Sequence, residues 1–203
     1  VLAAINEKPN GDIVSKVVEI SRGVDMYNAM TGEAKLTTMK KPTLPSCIYY
    51  RQEKNYEPLV GDFAKIQYPL RPHLVAKSIK SQMGRQMAQG LAPDIPDKTP
   101  AQISSRILKH MLREASKIYR CDITDAVITV PANFDSVMCE ATRDAAELAG
   151  IKVKNADGSE RPVLLSEPNA VIYDLINQIH NGEISSRILD LSQKRQVLVF
   201  DLG

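Results

Sequence analysis

Apolar positions in the first fifty or so residues fall in short runs separated by turn formers. The runs at 1–5 and 13–20 flank Pro9-Asn10-Gly11-Asp12, a spacing that predicts a β-hairpin. Two more short strands are predicted at 34–39 and 47–50, set apart by Pro42 and Pro45, with Thr31-Gly32 turning the chain before the first. After Gly61 the pattern becomes helical. Residues 62–67 and 72–83 read as helices, whereas Gly84, Gly90, Pro93 and Pro96 mark 84–98 as loop. Thr99-Pro100-Ala101-Gln102 then combines a capping Thr, a Pro suited to the first helical position and a Gln that closes a capping box. Ile103, Ile107, Met111, Leu112, Ala115, Ile118 and Tyr119 recur at the spacing of one helix face.

In the second half, 126–130 is a largely apolar run closed by Pro131, the pattern of a buried strand. A helix opens at Asp135 or Ser136, with Val137, Met138, Ala141, Ala145 and Leu148 on one side and Gly150 as its stop. Strands at 151–153 and 163–165 flank Asp157-Gly158, Glu167-Pro168 starts a helix reaching about His180, and 196–201 reads as a last strand. Strand and helix thus alternate, which favours an α/β sheet with helices packed on it. The stretch 41–120 reads as a separate α+β insertion.

The length of 203 residues suits one large domain or two small ones. With 43% hydrophobic and 25% charged residues, the composition is that of a globular protein and excludes long disorder or collagen-like structure. Lys and Arg total 26 against 24 Asp and Glu, a formal charge of +2 that gives no electrostatic case for nucleic acid or an anionic membrane. Cys47, Cys121 and Cys139 form no C-x-x-C pair, which argues against a disulfide framework or a zinc ribbon and for a reducing compartment, the cytosol. The longest apolar run is 1–5, far below the roughly 20 residues that span a bilayer, and no signal-peptide pattern precedes it. The chain starts on Val1 and stops at Asp201-Leu202-Gly203, so it reads as a piece of a longer protein.

Candidate chemistry is spread thinly. His73, His110 and His180 lack acidic or Cys partners at ligand spacing, and neither a G-x-S-x-G elbow nor a G-x-x-x-x-G-K-[ST] loop occurs. Cys139 lies in the first turns of a helix, where the dipole favours a thiolate, although a small core residue is the plainer reading. Asp201 ends an apolar strand and precedes Gly203; such an acid either meets a metal–phosphate group or merely starts a turn. Glu167 can stabilise a helix dipole, or it can position a water or hydrated Mg²⁺. Lys80, in Ser78-Ile79-Lys80-Ser81, sits on a stretch read as helix, where a lysine is usually solvated.

The order of these residues carries more than any one of them. Asp125-Ala126-Val127-Ile128-Thr129-Val130-Pro131-Ala132-Asn133-Phe134 is followed by Ala141-Thr142-Arg143-Asp144-Ala145-Ala146. Then come Ser166-Glu167-Pro168-Asn169-Ala170 and Val199-Phe200-Asp201-Leu202-Gly203. Upstream, Leu44-Pro45-Ser46, Val60-Gly61-Asp62-Phe63-Ala64-Lys65 and Ser78-Ile79-Lys80-Ser81-Gln82-Met83-Gly84 keep the same order. The series resembles the nucleotide-binding domain of the DnaK-type, seventy-kilodalton heat-shock chaperone family.

That resemblance implies the first lobe of the actin-like (ribonuclease H-like) ATPase fold. Residues 1–40 and 121–191 would be its inner subdomain, 41–120 the inserted outer subdomain, and 192–203 the first strand of lobe two. It implies ATP and Mg²⁺ as cofactors, with client proteins and co-chaperones as partners of the parent protein. Lys80 would help place the attacking water, Glu167 would orient it or a Mg²⁺-bound one, and Asp201 would hold hydrated Mg²⁺. Gly203 would begin the second phosphate loop, and Pro131 would match the proline that relays nucleotide state between domains. The sequence departs from the family in three ways. Its first phosphate loop is expected ahead of Val1, its second stops at Gly203, and Cys139 replaces the Arg that works with the relay proline. The segment 181–195 also reads as longer than the family's, marking a divergent member. The chain alone is therefore expected not to hydrolyse ATP, and 196–201 either to pair with another chain or to fold back on lobe one in a position the family does not use. A non-enzymatic adaptor with the same fold is the alternative function; a small-molecule kinase or an actin-like filament protein is a further one.

Overall fold

The computed structural model describes residues 2–7, 13–27, 34–185, 192–194 and 196–199. Nine strands and four α-helices occur among them. Strands β1 (Ala3–Glu7) and β2 (Ile13–Val17) form the antiparallel hairpin that the turn residues predict, although the turn itself lies outside the described residues. The apolar run at 13–20 is broken at Val18-Glu19, and Ile20 opens a strand that the hydrophobic pattern missed, β3 (Ile20–Tyr27). It pairs antiparallel with β4 (Ala34–Lys41), and β3 also lies against the two helices of the next region.

That next region is the best-packed part of the chain. Strand β5 (Cys47–Arg51) is the centre of an antiparallel sheet, between β6 (Glu57–Val60) and β7 (Val75–Lys77). Consecutive residues Ile48, Tyr49 and Tyr50 are all buried, so both faces of β5 are covered. Helix α1 (Asp62–Gln67) follows β6 through Gly61, whose φ of 104° lies in the left-handed region open to glycine. Phe63 of α1 meets Tyr49 edge to face, ring centroids 5.8 Å apart. Helix α2 (Pro100–Tyr119) begins with the expected capping box: Thr99 Oγ1 accepts from the Gln102 N–H, and Gln102 Oε1 accepts from the Thr99 N–H. Ile103 of α2, Leu74, Ile79 and Ile95 complete the core around β5.

The helix predicted at 72–83 is not there. Pro72–Leu74 is a 3-10 turn, Val75–Lys77 is β7, and Ile79–Gln82 is a second 3-10 turn. Pairing of β7 with β5 outweighs the local helical spacing, because it satisfies the β5 backbone and buries Val75 and Ala76 on the core. Leu74, Val75 and Ile79 therefore belong to three different short elements.

Beyond α2 the packing thins. Strand β8 (Ile128–Val130) pairs in parallel with β9 (Leu164–Ser166), and helices α3 (Ser136–Ala149) and α4 (Glu167–His180) follow these strands directly. Asp135 caps α3 by accepting from the Met138 N–H at 2.8 Å, and Gly150 ends it at φ 99°. The buried face of α3 is Thr142, Ala145, Ala146 and Ala149, small residues that let it lie close to α2, while Val137 and Leu148 are exposed. The strand at 126–130 is shorter and less buried than predicted: Val127 is 62% exposed, because β9 is the one strand paired with β8 among the described residues. Residues 151–153 are not a strand; only a single Lys154–Glu160 bridge spans the Asp157-Gly158 turn. Residues 196–199 have no regular structure, consistent with the absence of any paired strand beside them among the described residues; Phe200 and Asp201 lie outside those residues. Strands β1–β9 make four separate sheets, so the α/β sheet is here a two-stranded parallel unit flanked by helices.

Candidate functional site

Parallel pairing sets the geometry of the site. Val130 stands opposite Ser166, so Pro131 and Glu167 leave the carboxyl ends of two adjacent strands, about 5 Å apart as paired strands are. That edge of a parallel sheet is where α/β folds gather ligands. Pro131 opens a tight turn, its carbonyl accepting from the Phe134 N–H at 3.2 Å, and the turn leads into the Asp135 cap of α3. Glu167 is the first residue of α4, with Pro168 next to it. The preceding Ser166 makes no side-chain cap, so a first-turn carboxylate is the anion nearest the positive end of that helix.

Lys80 reaches the same edge from the other half of the chain. Its Nζ lies 2.7 Å from Glu167 Oε1, a contact across 87 residues of sequence. The loop carrying it is well anchored. Ile79 and Met83, on either side, are each 5% exposed, and the Ser104 hydroxyl of α2 contacts Met83 Sδ at 3.5 Å. Ser78 occupies the left-handed region at φ 53°, and its carbonyl accepts from the Ser81 hydroxyl at 2.8 Å, which tightens the turn under Lys80. Gly84 ends the loop at φ 82° against the first turn of α3, where an added Cβ would meet Met138 and Val137 at 3.4 Å. With its neighbours buried, Lys80 projects outward, its side chain 59% exposed and that of Glu167 25%.

Three sequence-predicted site residues thus gather at one edge: Lys80 and Glu167 in contact, Pro131 beside Glu167 in register. Asp201 and Gly203 lie outside the described residues. Cys139 is half-buried one turn into α3, its N–H bonded to the Asp135 carbonyl at 3.0 Å. The three histidines join no cluster, and among the described residues no group of three His, Cys, Asp or Glu side chains is arranged to hold a metal. Nor is any described helix long and apolar enough to cross a membrane.

A family model described as Hsp70 protein matches residues 93–203, more than half of the sequence. The chain belongs to the Hsp70 family. Hsp70 relatives include the chaperone protein DnaK of Mesomycoplasma hyopneumoniae strain J, 35% identical over 195 residues. The DnaK proteins of strains 232 and 7448 match at the same identity and length. The match takes in 91% of this chain but 28% of each relative, so the chain spans a little over a quarter of their length. At 35% identity it is a divergent Hsp70.

One buried polar group gave no sign in the sequence. Asp97, 5% exposed in the loop before α2, accepts from the Tyr50 hydroxyl at 2.9 Å and from Arg106 Nε and Nη2 at 2.9 and 2.7 Å. It ties β5 to α2 through the loop. Burial first, and then the neighbouring carboxylate, push the Tyr50 phenol far above its ordinary range. The Asp97 hydrogen bonds raise Arg106 as well. An Asp in a loop such as 84–98 carries no periodicity, so only the fold reveals its partners.

Proposed function

We propose that the chain forms the first lobe of an actin-like ATPase domain, in a chaperone that uses Mg-ATP hydrolysis to cycle on client proteins with co-chaperones. In this reading 1–40 and 121–191 form the inner subdomain and 41–120 the outer one. Residues 192–203 become a strand once strands of a second lobe lie alongside. The observation that carries the reading is the Lys80–Glu167 contact at the carboxyl edge of β8 and β9. It joins two residues that the family resemblance singles out independently.

The donor set suits the cofactors. An exposed ammonium offers a charge to a terminal phosphate, and a carboxylate oxygen is a hard ligand for Mg²⁺ or one of its waters. When bound, Mg²⁺ would neutralise charge on the phosphates. Glu167, with Asp201, would hold the ion through water; Lys80 would fix the attacking water and stabilise charge developing on the γ-phosphate; Gly203 would begin the phosphate loop. The contact between Lys80 and Glu167 keeps both side chains at the edge before nucleotide arrives, which lowers the ordering cost of catalysis. Pro131, beside Glu167 and at the head of the turn into α3, would relay nucleotide state.

Single-turnover hydrolysis at saturating ATP, in the protein that carries this chain, tests the reading. Lys80→Ala should lower the rate at least about tenfold while ATP still binds, the signature of a contact made in the transition state. An unchanged rate removes Lys80 from the site. Cys139, in place of the family's Arg, favours a second reading: an adaptor that keeps the fold without turnover. That reading expects no hydrolysis by the unsubstituted protein either.

A further inference from the structure

A groove of about 830 Å³ opens between β5, β6, α1 and α2, and no residue of the Lys80–Glu167 site lines it. Its walls carry six cationic side chains, Arg51, Lys54, Arg71, Arg106, Lys109 and Arg113, against two carboxylates, Glu53 and Glu57. In a chain whose total formal charge is +2, that is a local concentration of positive charge. Some of it is neutralised: Arg51 pairs with Glu57 and Arg106 with Asp97. Among the described residues the Arg71 guanidinium donates to the neutral Tyr49 hydroxyl, at 2.5 Å, and forms no ion pair. Lys54, Lys109 and Arg113 form no ion pair among the described residues. The Arg51 Nε–H is buried without an acceptor, the one such side-chain atom among the described residues.

The arrangement selects the kind of anion. Arg106, Lys109 and Arg113 recur at helical spacing along one wall, spanning about 10 Å at ~1.5 Å per residue. Helix α2 has a single carboxylate, Glu114, and that one pairs with Lys117 at 2.6 Å. A lone phosphate is held by donors converging on a point. Cations strung along a wall instead match carboxylates strung along an extended chain, about three residues at ~3.3 Å each. Leu59 and Phe63 supply an apolar lining between the charged walls. We propose that this groove binds a short acidic segment of a partner protein, its carboxylates against Lys109 and Arg113 and an apolar side chain on the Leu59–Phe63 surface.

Fluorescence anisotropy of a labelled Glu-Glu-Leu-Glu-Glu peptide titrated with this chain tests the proposal. Saturable binding that weakens as salt is added is expected, since exposed charges are screened beyond a Debye length of about 10 Å at 0.1 M. The double variant Lys109→Glu, Arg113→Glu should weaken binding at least about tenfold. Its far-UV circular dichroism should be unchanged, because both side chains are on the exposed side of α2. Lys152→Glu, at an exposed site elsewhere, should bind as the unsubstituted chain does. No binding at low salt, or equal binding by the double variant, overturns the proposal. Equal competition by inorganic phosphate or by heparin also overturns it, since the groove would then read charge alone.

Discussion

The region from β5 to α2 and the region from β8 to α4 bury apolar residues very differently. The first surrounds a central strand on both faces with large side chains, Ile48, Tyr49 and Tyr50, and closes over them with α1 and Ile103 of α2. The second has a small cluster of Ala146, Ile151, Val153 and Val163, and its last helix, α4, has no buried residue. The candidate site lies where the two meet, with Lys80 rooted in the first and Glu167 at the start of α4. A rigid, well-packed unit thus holds one charged group, while its partner stands on an element with little packing of its own. That difference gives the well-packed unit most of the stability and leaves the other free to respond to what binds at the edge.

The largest effect should come from the densely packed core. Ile103→Ala should lower the unfolding free energy by about 2–5 kcal/mol, the range for a buried large-to-small change. Ile151→Ala, in the smaller cluster, should fall at the low end. Urea unfolding followed by circular dichroism compares them, and equal losses would erase the contrast between the regions.

Asp97→Ala should come next, at about 2–3 kcal/mol, because the Tyr50 hydroxyl and Arg106 lose their shared acceptor inside the same unit. The same network has a pH signature. Since the folded state raises the Tyr50 phenol, its proton is bound more tightly folded than unfolded. Its contribution is therefore complete below the unfolded value of about 10 and is lost as pH rises beyond it. The urea midpoint should fall more steeply above about pH 10 in the unsubstituted chain than in Tyr50→Phe; parallel curves would show that this phenol is not linked to folding.

The smallest effect should be on α4. Tyr173 is 62% exposed, so Tyr173→Ser should change stability by no more than about 0.5 kcal/mol. A larger loss by urea titration would mean that α4 is packed as firmly as α2, and the comparison would fail.

Much of this was legible in the residues, and the failures share one cause. Helices α2, α3 and α4 start where their caps and prolines predicted, because these signals lie within three or four residues of the helix end. The first hairpin followed its turn residues for the same reason. The helix at 72–83 failed because strand pairing with β5, nearly thirty residues back, outweighed local spacing. The exposed face of α3 failed because periodicity locates an apolar stripe but cannot say that the small Ala145–Ala149 side is the one its neighbour needs. Even the cationic wall of the groove was present as a helical spacing of Arg106, Lys109 and Arg113, which a search for consecutive like charges passes over.

By itself, then, the sequence determined what is set within a turn or two of chain: caps, turn positions, the strand-then-helix order after 120, and the motif strings that mark an Hsp70. Tertiary structure alone decided what depends on distant groups meeting. It set Lys80 against Glu167 across 87 residues, buried Asp97 between Tyr50 and Arg106, and gathered the cations of β5, α1's flank and α2 around one groove. The physical reason is that a charged side chain's role depends on its dielectric surroundings and its partners, and neither is encoded in its immediate neighbours along the chain.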